Sequence, residues 1–196
     1  MHEIAAHTVA GALDWDGMPP LLGIAAWSGT GKTTLLEQLL PRLRAQGLKV
    51  AVIKHAHHDF DIDIPGKDSY RLREAGAVPM LIASRARVAM MIETPGNNEA
   101  DLPELLAMVR PHQPDLILVE GFKHWPLPKL EVYRPSVGKP LSAESDRWVV
   151  AVASDVELEL PVELEQLDLN DIDALSQWVA AWPMRWAAGL QTKAMP

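Results

Sequence analysis

The sequence predicts an α/β fold in which a mostly parallel β-sheet is flanked by helices, and three observations predict it. Apolar runs of strand length alternate with helical patterns along most of the chain, the order that builds parallel sheets. A run at 21–26 passes through a small-residue loop, Trp27-Ser28-Gly29-Thr30-Gly31, into Lys32-Thr33-Thr34 and an apolar helical pattern. Two further runs, 115–121 (DLILVEG) and 147–154 (RWVVAVAS), carry apolar residues too continuously for a half-solvated sheet and read as buried or central strands.

In chain order, residues 1–20 read as a loosely ordered extension ending at Pro19-Pro20. The strand 21–26 comes next. A helix over 31–45 follows from Leu35, Leu36, Leu39, Leu40 and Leu43, with Pro41 expected to kink it and Gly47 marking its end. Residues 48–54 read as the second strand and 55–66 as a loop in which Phe60, Ile62 and Ile64 alternate with aspartates. Asp68 is placed to cap a helix over 69–75 that stops at Gly76. Strands are expected at 78–83 and 87–93, a helix at 101–110 and the buried strand at 115–121. Residues 129–134 (KLEVYR) read as an edge strand extending the sheet, 147–154 as central, and 171–182 as the last helix. The domain is thus drawn over 21–185, with 186–196 as a tail. Trp178, Trp182 and Trp186 recur at helical spacing and fit core or dimer packing better than a binding platform.

With 196 residues, 48% of them hydrophobic, the chain suits one domain with a sizeable core. A formal charge of −8 argues against a general nucleic-acid binder while leaving room for a local basic pocket. The lack of cysteine excludes disulfides and thiolate metal sites and fits a reducing cytoplasm. No apolar run approaches 18 residues and the N-terminus lacks a basic segment, so neither a membrane span nor a signal peptide is expected.

The segment 21–37 has the strand–loop–helix form of a P-loop, with Ala26 where the strict pattern has glycine. Backbone N–H groups of Ser28, Gly29, Thr30 and Gly31 and of the first helical turn would cradle phosphates, aided by the helix dipole. Lys32 would reach the β- and γ-phosphates, the Thr33 hydroxyl would ligate Mg²⁺, and Thr34 completes the turn. Ligands of open α/β sheets lie beyond the carboxyl ends of the strands, which directs attention to Lys54-His55, Glu120-Gly121 and Ser154-Asp155. Glu120 ends an apolar strand as a Walker B acid does, and would order Mg²⁺ or polarise the attacking water beside Lys32; otherwise it is a strand-end carboxylate facing solvent. Gly121 would let the backbone approach a γ-phosphate, and Lys123 lies close enough in sequence to join the site. Asp155 is placed to accept from guanine N1–H and the N2 amine, in a degenerate version of the usual guanine motif; the plain alternative is a capping or turn aspartate.

The stretch from Lys54 to Asp63 holds three histidines, His55, His57 and His58, and three alternating carboxylates, Asp59, Asp61 and Asp63. It admits a Mg²⁺ and substrate switch loop, with Asp59 and Asp61 as metal ligands, a solvated charged loop, or a dedicated transition-metal site. Lys67, Arg71, Arg73, Arg85 and Arg87 could hold a second phosphate, although ordinary surface charge explains them as well.

AAWSGTGKTTLL, IKHAHHDFDIDIPGKDSYRLREAGA, ETP, DLILVEGFKH and VVAVASD closely resemble the MobB family of molybdopterin-guanine dinucleotide biosynthesis proteins, from about Leu21 to Trp182. The resemblance implies a homodimeric P-loop GTPase of the branch that includes signal-recognition, nitrogenase-iron-type and metallochaperone NTPases. It implies weak hydrolysis of GTP with Mg²⁺, and assistance to the MobA nucleotidyltransferase in attaching GMP to molybdopterin. By resemblance Gly29, Gly31, Lys32, Thr33 and Thr34 hold phosphates, and Glu120 and Gly121 take the Walker B and switch positions. Competing readings are a small-molecule kinase on the same fold, a metallochaperone GTPase, against which the missing cysteine counts, and an adaptor that binds nucleotide for stability alone.

Overall fold

The apolar runs fold, in a computed structural model that describes residues 17–56, 60–95 and 99–190, into a layered α/β arrangement. The elements are β1 (Leu21–Ala26), α1 (Lys32–Ala45), β2 (Val50–Lys54), α2 (Asp68–Glu74), β3 (Met80–Ala83), β4 (Val88–Met91), α3 (Leu102–Val109), β5 (Leu116–Glu120), β6 (Lys129–Tyr133), β7 (Val149–Ser154), β8 (Glu165–Asp168), α4 (Ile172–Ala180) and α5 (Trp182–Arg185). They divide into two compact units, one comprising the chain up to His55 and from Leu102 onward, the other Ala56–Asp101.

The larger unit holds a six-stranded sheet in the order β2-β5-β1-β6-β7-β8, and every neighbouring pair is parallel. Every residue of β1 and β5 is buried, as expected of strands covered on both faces. Helix α1 turns Leu35, Leu36, Leu39 and Leu43 inward and is continuous from Lys32 to Ala45 with Pro41 inside it. Helix α4 is capped by Asp171, which accepts from the Ala174 N–H at 2.9 Å. The tryptophans belong to the core. Trp182 is buried, donates from Nε1 to the Leu21 carbonyl of β1 at 2.8 Å, and stacks on Trp178 at 5.5 Å. Trp186, read as the start of a tail, is buried with them.

Two local expectations are corrected. The strand 129–134 is not at an edge: β6 lies between β1 and β7, and four of its five residues are buried. Its charges Lys129 and Glu131 are buried, and each has a dedicated partner. Lys129 Nζ binds Asp146 at 2.8 Å, and Glu131 accepts from the Ser142 and Ala143 N–H groups at 2.7 and 2.8 Å. The edges are β2 and β8, and β8 has a polar sequence, EQLD, without a strand signature. Finally, Lys67 is the N-cap of α2; Asp68 sits one position inside, in the first turn, where its charge complements the helix dipole.

The smaller unit contains α2 and the antiparallel hairpin β3–β4. Arg73 organises it, donating to Asp61 at 2.7 Å and to Glu93, while Ser69 Oγ donates to Asp63 at 2.8 Å. Phe60, Ile62, Ile64, Leu81, Val88 and Met90 are exposed on this unit.

Candidate nucleotide-binding site

Strand β1 ends at Ala26 in the middle of the sheet, and the chain turns there because its next residues permit it. The Thr30 N–H and hydroxyl both point back to the Trp27 carbonyl, at 3.3 and 2.9 Å. Gly29 and Gly31 take φ of +87° and +91°, which a side chain would strain; Gly31 is the N-cap of α1. Ala26 does not, since Gln113 is the one non-glycine residue with positive φ among the described residues. The missing glycine of the strict motif therefore leaves no strain. No acidic side chain occupies the first turn of α1, so the N–H groups of Lys32, Thr33 and Thr34 face outward as a positive helix end. Ser28, Gly29, Thr33 and Thr34 are exposed, as a phosphate cradle requires.

Sheet register brings the charged residues to this loop. Glu120 pairs across with Ile24 of β1 and with Lys54 of β2. One oxygen, Oε1, lies 3.1 Å from both Lys32 Nζ and Lys54 Nζ. Burial works to raise the Glu120 pKa, but the hydrogen bonds and charges of Lys32 and Lys54 outweigh it and hold the carboxyl below its ordinary range. The acid is therefore ionised beside the loop, as a Walker B position needs. Gly121 follows with φ +92°; a Cβ there would lie 2.9 Å from His55 Cβ and 3.1 Å from the His55 carbonyl oxygen. What the glycine demonstrably admits is this close crossing of β2's end, where the His55 N–H donates to the Glu120 carbonyl at 2.9 Å. Lys123 lies beside the loop, its ammonium 4.6 Å from the centre of the Trp27 ring. The Trp27 Nε1–H is tied to the Pro140 carbonyl at 2.8 Å.

On the other side of β1 lies a residue the sequence reading missed. Arg134, just past β6, donates from Nε to the Thr30 carbonyl at 3.0 Å and from Nη1 to Asp155 Oδ2 at 2.5 Å. Its partner Asp155 follows β7, and its Oδ1 is buried without a hydrogen-bond partner among the described residues. Misassigning β6 to an edge hid Arg134, because only an interior strand delivers its end to the loop.

Asp61 belongs to the smaller unit, where Arg73 and the Asp63 N–H, the latter at 2.8 Å, engage its carboxylate. Asp61 and Asp63 both face the Arg73 guanidinium. Asp59, with His57 and His58, lies outside the described residues. Among the described residues no group of three or more histidine and carboxylate side chains is gathered as a metal site.

A parallel sheet whose central strand runs into a glycine-turned loop and a helix N-terminus, with lysine and a strand-end acid beside it, defines a P-loop nucleotide-binding fold. The chain belongs to the MobB family: the family described as molybdopterin guanine dinucleotide synthesis protein B matches residues 21–155. A molybdopterin-guanine dinucleotide biosynthesis adapter protein of Escherichia coli is 52% identical over 166 residues, 84% of this chain and 94% of that relative. The protein of the same description from Haemophilus influenzae is 44% identical, covering 83% of this chain and 89% of its own length. In structure, a MobB homologue from Bacillus stearothermophilus superposes with a TM-score of 0.64 over 85% of this chain and 99% of its own, at 23% identity, and so shares the fold.

Proposed function

We propose that this chain is a GTP-binding adapter of molybdenum cofactor biosynthesis, assisting the MobA nucleotidyltransferase in attaching GMP to molybdopterin. Family membership supports the pathway. The observation that carries guanine in particular is Asp155 Oδ1, a buried acceptor without a partner among the described residues, at the sheet end beyond the P-loop. A carboxylate there accepts from guanine N1–H and the N2 amine, whereas adenine presents no such pair of donors.

The N–H groups of Ser28, Gly29, Gly31 and the first helical turn and the Lys32 ammonium receive the phosphates, while Thr30 braces the loop through the Trp27 carbonyl. Lys32 exchanges its contact with Glu120 for phosphate oxygens, while Lys54 continues to neutralise Glu120. Thr33 and Glu120 fit Mg²⁺, a hard cation that takes oxygen ligands and would spread the charge of the β- and γ-phosphates. Glu120 stays ionised and orients water. Hydrolysis by the chain alone is slow, because Arg134, whose hydrogen bonds reach the loop, is engaged by Thr30 and Asp155 and is not offered to the γ-phosphate. The exposed apolar residues of the smaller unit support a homodimer. The adapter works in the cytoplasm; among the described residues no helix is long and apolar enough to cross a membrane.

The test is GTP turnover and binding with and without molybdopterin and MobA. The adapter reading expects tight GTP binding, slow phosphate release and stimulated dinucleotide formation. A turnover of ~10 s⁻¹ by the chain alone, typical of a self-sufficient enzyme, would contradict it, and phosphate transferred to a small acceptor would establish a kinase instead. Asp155→Asn should move preference from GTP toward xanthosine triphosphate, since the amide can donate to a 2-oxo group.

A further inference from the structure

Arg134 stands where two halves of the nucleotide site meet. The β1–β6 register aligns Ala26 with Val132, so residue 134 projects past the strand ends beside the P-loop. The β6–β7 register aligns Tyr133 with Ser154, so the next residues along, Arg134 and Asp155, are neighbours. Pro135 follows, and Arg134 keeps the extended backbone, φ −135° and ψ 115°, that a residue before proline prefers. Its guanidinium is planar and rigid, so the two hydrogen bonds, Nε to the Thr30 carbonyl and Nη1 to Asp155 Oδ2, fix the carboxylate relative to the loop. A lysine cannot hold both, having a single nitrogen on a flexible stem. With Oδ2 held, Oδ1 remains as the carboxylate oxygen with no partner among the described residues.

We propose that Arg134 is the positioning residue for base selection: it holds Asp155 at a set distance from the phosphate cradle and turns Oδ1 toward the base of a guanine nucleotide. This rests on Asp155 reading the base. Arg134 acts through Asp155 and contributes to selectivity, whereas phosphate binding itself is left to the loop and Lys32.

The experiment measures Mg²⁺-dependent affinities for GTP, xanthosine triphosphate and inorganic tripolyphosphate. The proteins are the wild type, Arg134→Met, Arg134→Lys, Asp155→Asn, Asp155→Ala and the Arg134→Met/Asp155→Ala double variant. In Arg134→Met the GTP-to-xanthosine-triphosphate affinity ratio should fall ~10-fold or more, as expected when a buried polar reader is misplaced. Tripolyphosphate binding should hardly change, because it lacks a base. Arg134→Lys should recover only part of the ratio. In the Asp155→Ala background, Arg134→Met should change the ratio no further, the signature of one residue acting through the other. If Asp155→Asn leaves the ratio at the wild-type value, base reading by Asp155 fails, and the role of Arg134 falls with it. If Asp155→Asn shifts the ratio and Arg134→Met does not, the Arg134 assignment alone is overturned. An equal loss for all three ligands in Arg134→Met also overturns it, marking a direct phosphate contact. Should Arg134→Met fail to fold, Arg134→Lys carries the test: a ratio equal to wild type contradicts the proposal.

Discussion

Two ammonium groups, Lys32 and Lys54, converge on one oxygen of Glu120. Because they hold the Glu120 pKa below its unfolded value, the pairing adds stability above the ordinary carboxylate range, and this is lost as pH falls through the lowered folded value. The thermal midpoint of the wild type should therefore drop between pH 6 and pH 3 more steeply than that of Glu120→Gln, whose amide does not titrate. Parallel slopes for the two proteins would show that the charge on Glu120 does not matter to the fold. The places of Lys32 and Glu120 in the fold were legible in the sequence because local chain spacing sets them: one opens a helix after glycines, the other ends an apolar strand. Lys54 and Arg134 were not read with their partners, because strand register decides those partners and register is a long-range property. Gly121 was recognised as a special glycine, but the atom it avoids, His55 Cβ, is 66 positions earlier in the chain.

At the scale of elements, the close packing of β1 on β6 depends on Gly23. A Cβ there would lie 2.7 Å from Leu127 Cδ1 and 2.8 Å from Lys129 Cγ, and both residues are buried. Gly23→Ala should cost ~1–3 kcal/mol in urea denaturation, the usual penalty of overpacking. Gly121→Ala should cost a similar ~1–3 kcal/mol, because positive φ adds to the His55 clash. Wild-type midpoints in both variants would contradict the packing described. Most elements were legible from periodicity, since β1, β5 and β7 are continuous apolar runs and α1 carries an unbroken leucine stripe. The misplacement of β6 has a clear cause: buried Lys129 and Glu131 imitate a solvated face when their partners Asp146, Ser142 and Ala143 are not known. Strand β8 escaped notice because EQLD is neither β-branched nor aromatic.

The molecule as a whole exposes Leu81, Val88 and Met90 on a two-stranded hairpin of its smaller unit, and an isolated hairpin of this size is marginally stable in water. The proposed homodimer would cover that surface with a second copy. Light scattering should give twice the chain mass, and Val88→Asp should shift the population toward monomer by placing a charge in the interface. A concentration-independent monomer, with and without nucleotide, would refute the dimer.

The central claim, that the loop after β1 with Lys32 and Asp155 holds a guanine nucleotide, is tested most directly by calorimetric titration of wild type and Lys32→Ala with GTP and Mg²⁺. Lys54 still pairs Glu120 in the variant, so the fold should survive. Loss of the ammonium should weaken GTP binding ~100-fold or more, about 2.8 kcal/mol, while the protein stays folded with a thermal midpoint lowered only by the loss of one of the two Glu120 pairings. A Lys32→Ala protein that bound GTP with wild-type affinity would contradict the account.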